Sequence, residues 1–134
     1  MANESKSLMA KIPPQNIEAE KSVLGSLMLD SKSIDVIIDI LRPNDFYQTK
    51  HKIIYEAMVD LYQNKEPIDV LSLSSRLKDK KQLDAAGGSS YLTELVNSVP
   101  TSSNAKHYAE IVHKKSVLRD LIESSGHINQ LGYD

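Results

Sequence analysis

At 134 residues the chain has the length of one domain and falls short of two. Its 40% hydrophobic and 25% charged residues are ordinary for a soluble globule, and a chain this size can bury roughly two thirds of its unfolded surface. A net charge of −2 argues against a dedicated nucleic-acid-binding domain, and the absence of cysteine excludes disulfides, thiolate metal sites and a cysteine nucleophile.

The opening "MANESKSLMAK" lacks the apolar stretch of a secretory signal and reads as a disordered tail over residues 1–11. No apolar run approaches the roughly eighteen residues that a membrane helix needs, so a cytoplasmic protein without membrane contact is expected. After Pro13 and Pro14, Asn16 is placed to cap a first helix, with Glu18 and Glu20 in its first turn, where acids suit the helix dipole. Ile17, Leu24, Leu27 and Met28 share one side of that helix. Gly25 sits in its middle at a cost of about 1 kcal/mol against alanine, which suggests close packing by a neighbour.

Ile34, Ile37, Ile38 and Leu41 follow helical spacing in a second element that Pro43 ends. Ile54, Ala57, Met58 and Leu61 repeat the pattern in a third. Asp69 caps a fourth helix carrying Val70, Leu73 and Leu77. Leu92, Leu95, Val96 and Val99 form a fifth, stopped by Pro100. A sixth runs without proline from about Ser103 to Leu131, with Gly132 as its stop. Period-2 alternation and hairpin turns are missing. The expected fold is all-α: a globular helical domain over residues 12–102, built as a compact bundle of about five short helices, then one long helix over 103–134.

"LDAAGGSSYLTEL" invites a phosphate-binding reading, because glycines before a helix expose backbone amides to an anion. A P-loop, however, needs a lysine after the second glycine and a strand before the first, and neither is present. Gly87 is expected to end one short turn, with Ser89 or Ser90 capping the next helix. The histidines His51, His107, His113 and His127 form no i, i+4 pair, so no metal site is expected. Acid pairs such as Asp35/Asp39 and Glu56/Asp60 are expected to face water, and no G-x-S-x-G elbow occurs, so no catalytic residue is assigned. Taken as a recognition helix, residues 89–99 would offer no arginine or lysine to a base or phosphate.

The segments "IPPQNIEAEKSVLGSLMLD", "LRPNDFYQTKHKIIYEAM", "PIDVLSLSSRL", "QLDAAGGSSYLTEL", "VPTSSNAKHYAEIV" and "GYD" occur in an order and spacing that strongly resembles the N-terminal domain of bacterial replicative DNA helicases of the DnaB type. The resemblance covers residues 12–134. It implies an all-helical domain without ATPase activity. ATP and magnesium would then belong to a separate C-terminal domain, which would also make most of the contact with DNA. It implies a six-membered ring whose N-terminal domains pair as dimers, a collar on which primase docks, and a helicase loader as a further partner. The long helix resembles the first arm of the hairpin through which such domains pair. The alternative is a stand-alone helical adaptor that keeps the fold.

Within that frame two surfaces are expected. Tyr91 lies beside the apolar stripe of the fifth helix, and tyrosine is over-represented at binding hot spots; Glu18 is an acid in the first turn of the first helix. Both are assigned to primase contact. On the long helix, Ala105, Tyr108, Ala109 and Val112 form an inner stripe assigned to the core. Leu118, Leu121, Ile122, Ser125, Ile128 and Leu131 form an outer stripe assigned to the oligomer interface.

Overall fold

Asn16 opens the first helix, α1 (Ile17–Leu29), by accepting a hydrogen bond from the Ala19 amide at 3.0 Å. A computed structural model describes residues 12–99 and 104–133, with side chains as far as Gly126. The expected N-terminal tail, the stop at Pro100 and the side chains of Ile128 and Leu131 lie outside the described residues. A short 3-10 turn (Ser31–Ser33) leads into α2 (Ile34–Ile37), and a second (Pro43–Asp45) precedes α3 (Thr49–Gln63). Then come α4 (Val70–Asp79), α5 (Gly88–Asn97) and the long α6 (Ala105–Tyr133). The described residues are helical throughout with no strand, so the all-α expectation holds.

Three boundaries differ from expectation, each for a local reason. The helix expected over Ile34–Leu41 ends at Ile37, because the bonding switches to the tighter i−3 pattern at Asp39 and Ile40. Pro43 then forces Arg42 into an extended conformation (φ −113°, ψ 158°). Ile34, Ile37 and Leu41 are still buried.

Neither Ser89 nor Ser90 caps α5. Gly87 (φ 97°) and Gly88 (φ 78°) take positive φ, and their amides close a turn onto Asp84 and Leu83. The chain therefore enters the helix directly at Gly88, and both serines already lie in its first turn. Gly132 does not stop α6, which continues to Tyr133 and passes through Gly126 as well. A glycine costs a helix only about 1 kcal/mol and does not by itself end it.

The core forms around α1, which packs on α3, α5 and α6. Val23, Leu24 and Leu27 of α1 are fully buried with Ile54 and Met58 of α3, Leu73 and Leu77 of α4, and Leu92 and Leu95 of α5. From α6 come Ala105, Ala109 and Val112, as the inner stripe predicts, with Tyr108 half-buried against them. Gly25 has the close neighbour that its position suggested. A Cβ there would run into the carbonyl of Leu95 and Cγ2 of Val99, so α1 and α5 meet backbone to backbone. Gly25→Ala should therefore cost roughly 2–3 kcal/mol by forcing these helices apart. Thermal unfolding checks this, and an unchanged midpoint would contradict the close approach.

Candidate functional site

Two residues apart on α1, Glu18 and Glu20 point to different sides, since each residue turns the helix by about 100°. Glu18 is exposed, and Glu20 is buried in the core with only 1% of its surface accessible. The buried carboxylate has a specific job. The residue that starts α3, Gln48, offers no side-chain cap of its own. Glu20 supplies one from another helix: its Oε2 accepts from the Tyr47 amide at 2.7 Å and its Oε1 from the Gln48 amide at 3.4 Å. A carboxylate here also meets the positive end of the α3 dipole.

Glu20 Oε1 lies 2.8 Å from Nδ1 of His51, which is fully buried on the first turn of α3. A carboxylate only accepts, so Nδ1 carries the proton, and on the neutral ring Nε2 is left as an acceptor. The Tyr91 hydroxyl of α5 lies 2.6 Å from Nε2, and on that ring form it is the donor. The two rings are nearly parallel, at 12° with centroids 5.9 Å apart, and are joined end to end through that hydroxyl. One line of polar groups thus runs from α1 through α3 to α5.

Tyr91 is half-buried, which leaves part of its ring at the surface. The Lys50 ammonium stands over the ring, 3.9 Å from its centroid. Burial pushes the phenol up to about 12, aided by the carboxylates of Glu94, Glu20 and Glu18. Glu18 and Tyr91, assigned together to primase contact from the sequence, belong to one neighbourhood, with exposed Glu94 as a third member. The glycine pair helps to build it. A Cβ at Gly87 would come within 2.8 Å of the Tyr91 Cβ, so the residue before α5 must be bare for the tyrosine to fit.

The second expected surface begins where α6 leaves the globule. Ser116 donates to Asp45 Oδ1 at 2.8 Å. Arg119 donates to the carbonyls of Pro14 (2.8 Å) and Asp45 (2.6 Å), with its guanidinium over the Tyr47 ring. At and beyond this clamp, among the described side chains, the stripe faces outward: Leu118 is 37% exposed, Leu121 57% and Ile122 60%, and Ser125 is exposed too. Val117, which the stripe did not include, is 41% exposed beside them. Of the residues that hold these surfaces in place, the sequence was read for Glu20 only as an acid suited to the helix dipole and for His51 only as no metal ligand, while Lys50 and Arg119 were passed over.

Residues 12–114 match the family described as the DnaB-like helicase N-terminal domain. The chain belongs to that family. It is 45% identical over 123 residues to the replicative DNA helicase DnaC of Bacillus subtilis and to the replicative DNA helicase DnaB of Geobacillus stearothermophilus. Each alignment covers 92% of this chain and 27% of the relative, so the chain spans about a quarter of their length. The crystal structure of the DnaB helicase N-terminal domain from Mycobacterium tuberculosis superposes with a TM-score of 0.89 at 41% identity, covering 92% of this chain and 89% of that one. A DnaB-like replicative helicase, described with its interactions with primase, superposes at 0.77 and 30% identity over 89% of this chain and 28% of its own.

Two outcomes follow for the polar line. Glu20→Ala strips partners from His51 and from two amides at the start of α3, and should cost roughly 2–4 kcal/mol in chemical denaturation. A loss well under 1 kcal/mol would show that the carboxylate is dispensable. Tyr91 has a folded-state value near 12 against 10 for an ordinary tyrosine, so its contribution to stability is complete below pH 10. That contribution drains away as pH rises through 12. Tyr91→Phe should remove part of the alkaline fall in stability between these limits, measured as denaturation midpoint against pH.

Proposed function

We propose that this chain is the assembly and primase-docking domain of a ring-forming replicative DNA helicase in the bacterial cytoplasm. Family membership and the helicase relatives support the helicase part. The observation that carries the docking part is the half-buried Tyr91 in one neighbourhood with the exposed acids Glu18 and Glu94. An aromatic ring with one polar end, flanked by carboxylates, suits a basic protein partner. The relative described with its interactions with primase names the candidate.

ATP, magnesium and most of the DNA contact are assigned to parts of the helicase outside these residues, and a loader is a further expected partner. On this reading the 134-residue chain alone hydrolyses no ATP. The exposed apolar side chains on α6 are assigned to pairing between subunits, because a contiguous apolar stripe marks an interaction surface.

Tyr91→Ala should weaken primase binding by about 1–2 kcal/mol in calorimetry while the domain stays folded. Unchanged affinity would remove Tyr91 from the docking face. Replacing Leu121 and Ile122 together by glutamate should abolish concentration-dependent self-association in sedimentation. Stability should stay within about 0.5 kcal/mol, since both side chains are mostly exposed. Unfolding of the doubly substituted chain would mean that these residues belong to the core.

A further inference from the structure

We infer that His51 is a positioning residue for the docking face: it holds the Tyr91 hydroxyl from inside, so that a partner meets the ring in one fixed orientation. This rests on the assignment of Tyr91 to primase docking. A half-exposed tyrosine free to rotate would lose side-chain entropy on binding, at about 0.5–1.5 kcal/mol for an immobilised side chain. In this chain the rotation is already restrained. The hydroxyl is bound at 2.6 Å to Nε2 of His51, and the imidazole is itself fixed by Glu20 at 2.8 Å. His51 is fully buried and cannot touch a partner, so its effect on docking is indirect, and Tyr91 is the partly exposed side chain to which it is bonded.

The same geometry says what a partner does not use. The hydroxyl oxygen is engaged by the imidazole at 2.6 Å, so the recognised part of Tyr91 is its ring, with Lys50 over it. Glu18 and Glu94 then supply the charge at the surface. The partner segment is accordingly one with an apolar group for the ring and basic side chains for the two carboxylates.

The two ends of the imidazole can be separated by substitution. In His51→Asn the side-chain amide reaches the Nδ1 position only, so the Glu20 bond can persist while the Tyr91 bond is lost. In His51→Gln the amide reaches the Nε2 position, where its oxygen can accept from the Tyr91 hydroxyl. Primase from the same organism would be titrated calorimetrically into the 134-residue chain and its variants, with unfolding curves for each.

His51→Asn should weaken binding by about three- to tenfold, and His51→Gln by less than about twofold. In a Tyr91→Ala background, His51→Asn should change affinity no further, because its effect is carried by the tyrosine. A readout independent of primase is the ultraviolet titration of tyrosinate, in which His51→Asn should bring the Tyr91 phenol down from about 12 toward 10 as the ring swings into water. Should His51→Asn fail to fold, Tyr91→Phe cuts the same link from the other side. It should weaken binding to a similar extent although the ring is intact.

Equal affinities for wild type, His51→Asn and Tyr91→Phe, beside a weakened Tyr91→Ala, would overturn the positioning role and leave Tyr91 as a docking residue. An additive loss in the double variant would also overturn it. If Tyr91→Ala itself binds like wild type, the docking assignment falls, and the positioning role falls with it.

Discussion

The Glu20 carboxylate of α1 bonds the entry and first turn of α3, and through His51 the polar line reaches Tyr91 of α5. Burying a charge is costly unless it is paired with donors, and Glu20 has three: two amides at the entry to α3 and the imidazole of His51. Hydrophobic burial has no direction and fixes neither the rotation of one helix against another nor its register. Hydrogen bonds at 2.7–2.8 Å do both. The carboxylate therefore decides where α3 begins, and through His51 where the Tyr91 ring lies.

The segment just before α3 serves the rest of the molecule as well. Tyr47 gives its amide to Glu20 and its ring to Arg119, and Arg119 binds the carbonyls of Pro14 and Asp45. Asp45 in turn caps the turn before Phe46 through the Arg42 amide and accepts from Ser116 of α6. Residues 45–48 are thus held by α1 on one side and by α6 on the other. This explains how a helix of 29 residues, about 43 Å long, is firmly seated up to Arg119 while its side chains from Leu121 to Gly126 are exposed. Among the described side chains the last anchor is Arg119, and the exposed Leu121 and Ile122 follow at once.

Much of this was legible in the sequence, and what was missed has a common cause. Periodic apolar residues revealed the helices of the bundle, because burial of one helix face imposes that period whatever the neighbours are. Asn16 and Asp69 were readable as caps because each bonds within three residues of itself. Glu20 and His51 act over separations of 27 residues and more, and no local pattern reports such bonds. A faint signal was still present. Glu20 lies four residues before Leu24 and three before Val23, and His51 lies three before Ile54 and four before Tyr55. Both occupy the buried phase of their helices, where a charged or titratable side chain needs a partner. Reading Glu20 only as an acid suited to the helix dipole concealed that phase. The glycine pair was read correctly as a bend and incorrectly as preparation for a serine cap, since a positive φ is visible in a sequence only as the presence of glycine.

The central claim is that the surface around Tyr91, braced from within by His51 and Glu20, is where primase binds. The most direct measurement is nuclear magnetic resonance of the isotope-labelled 134-residue chain during titration with unlabelled primase. The account predicts that the amide signals of Glu18, Lys50, Tyr91 and Glu94 shift together, while those of Leu118, Leu121, Ile122 and Ser125 stay in place. Shifts confined to residues 118–125, with Tyr91 and its neighbours unchanged, would contradict it.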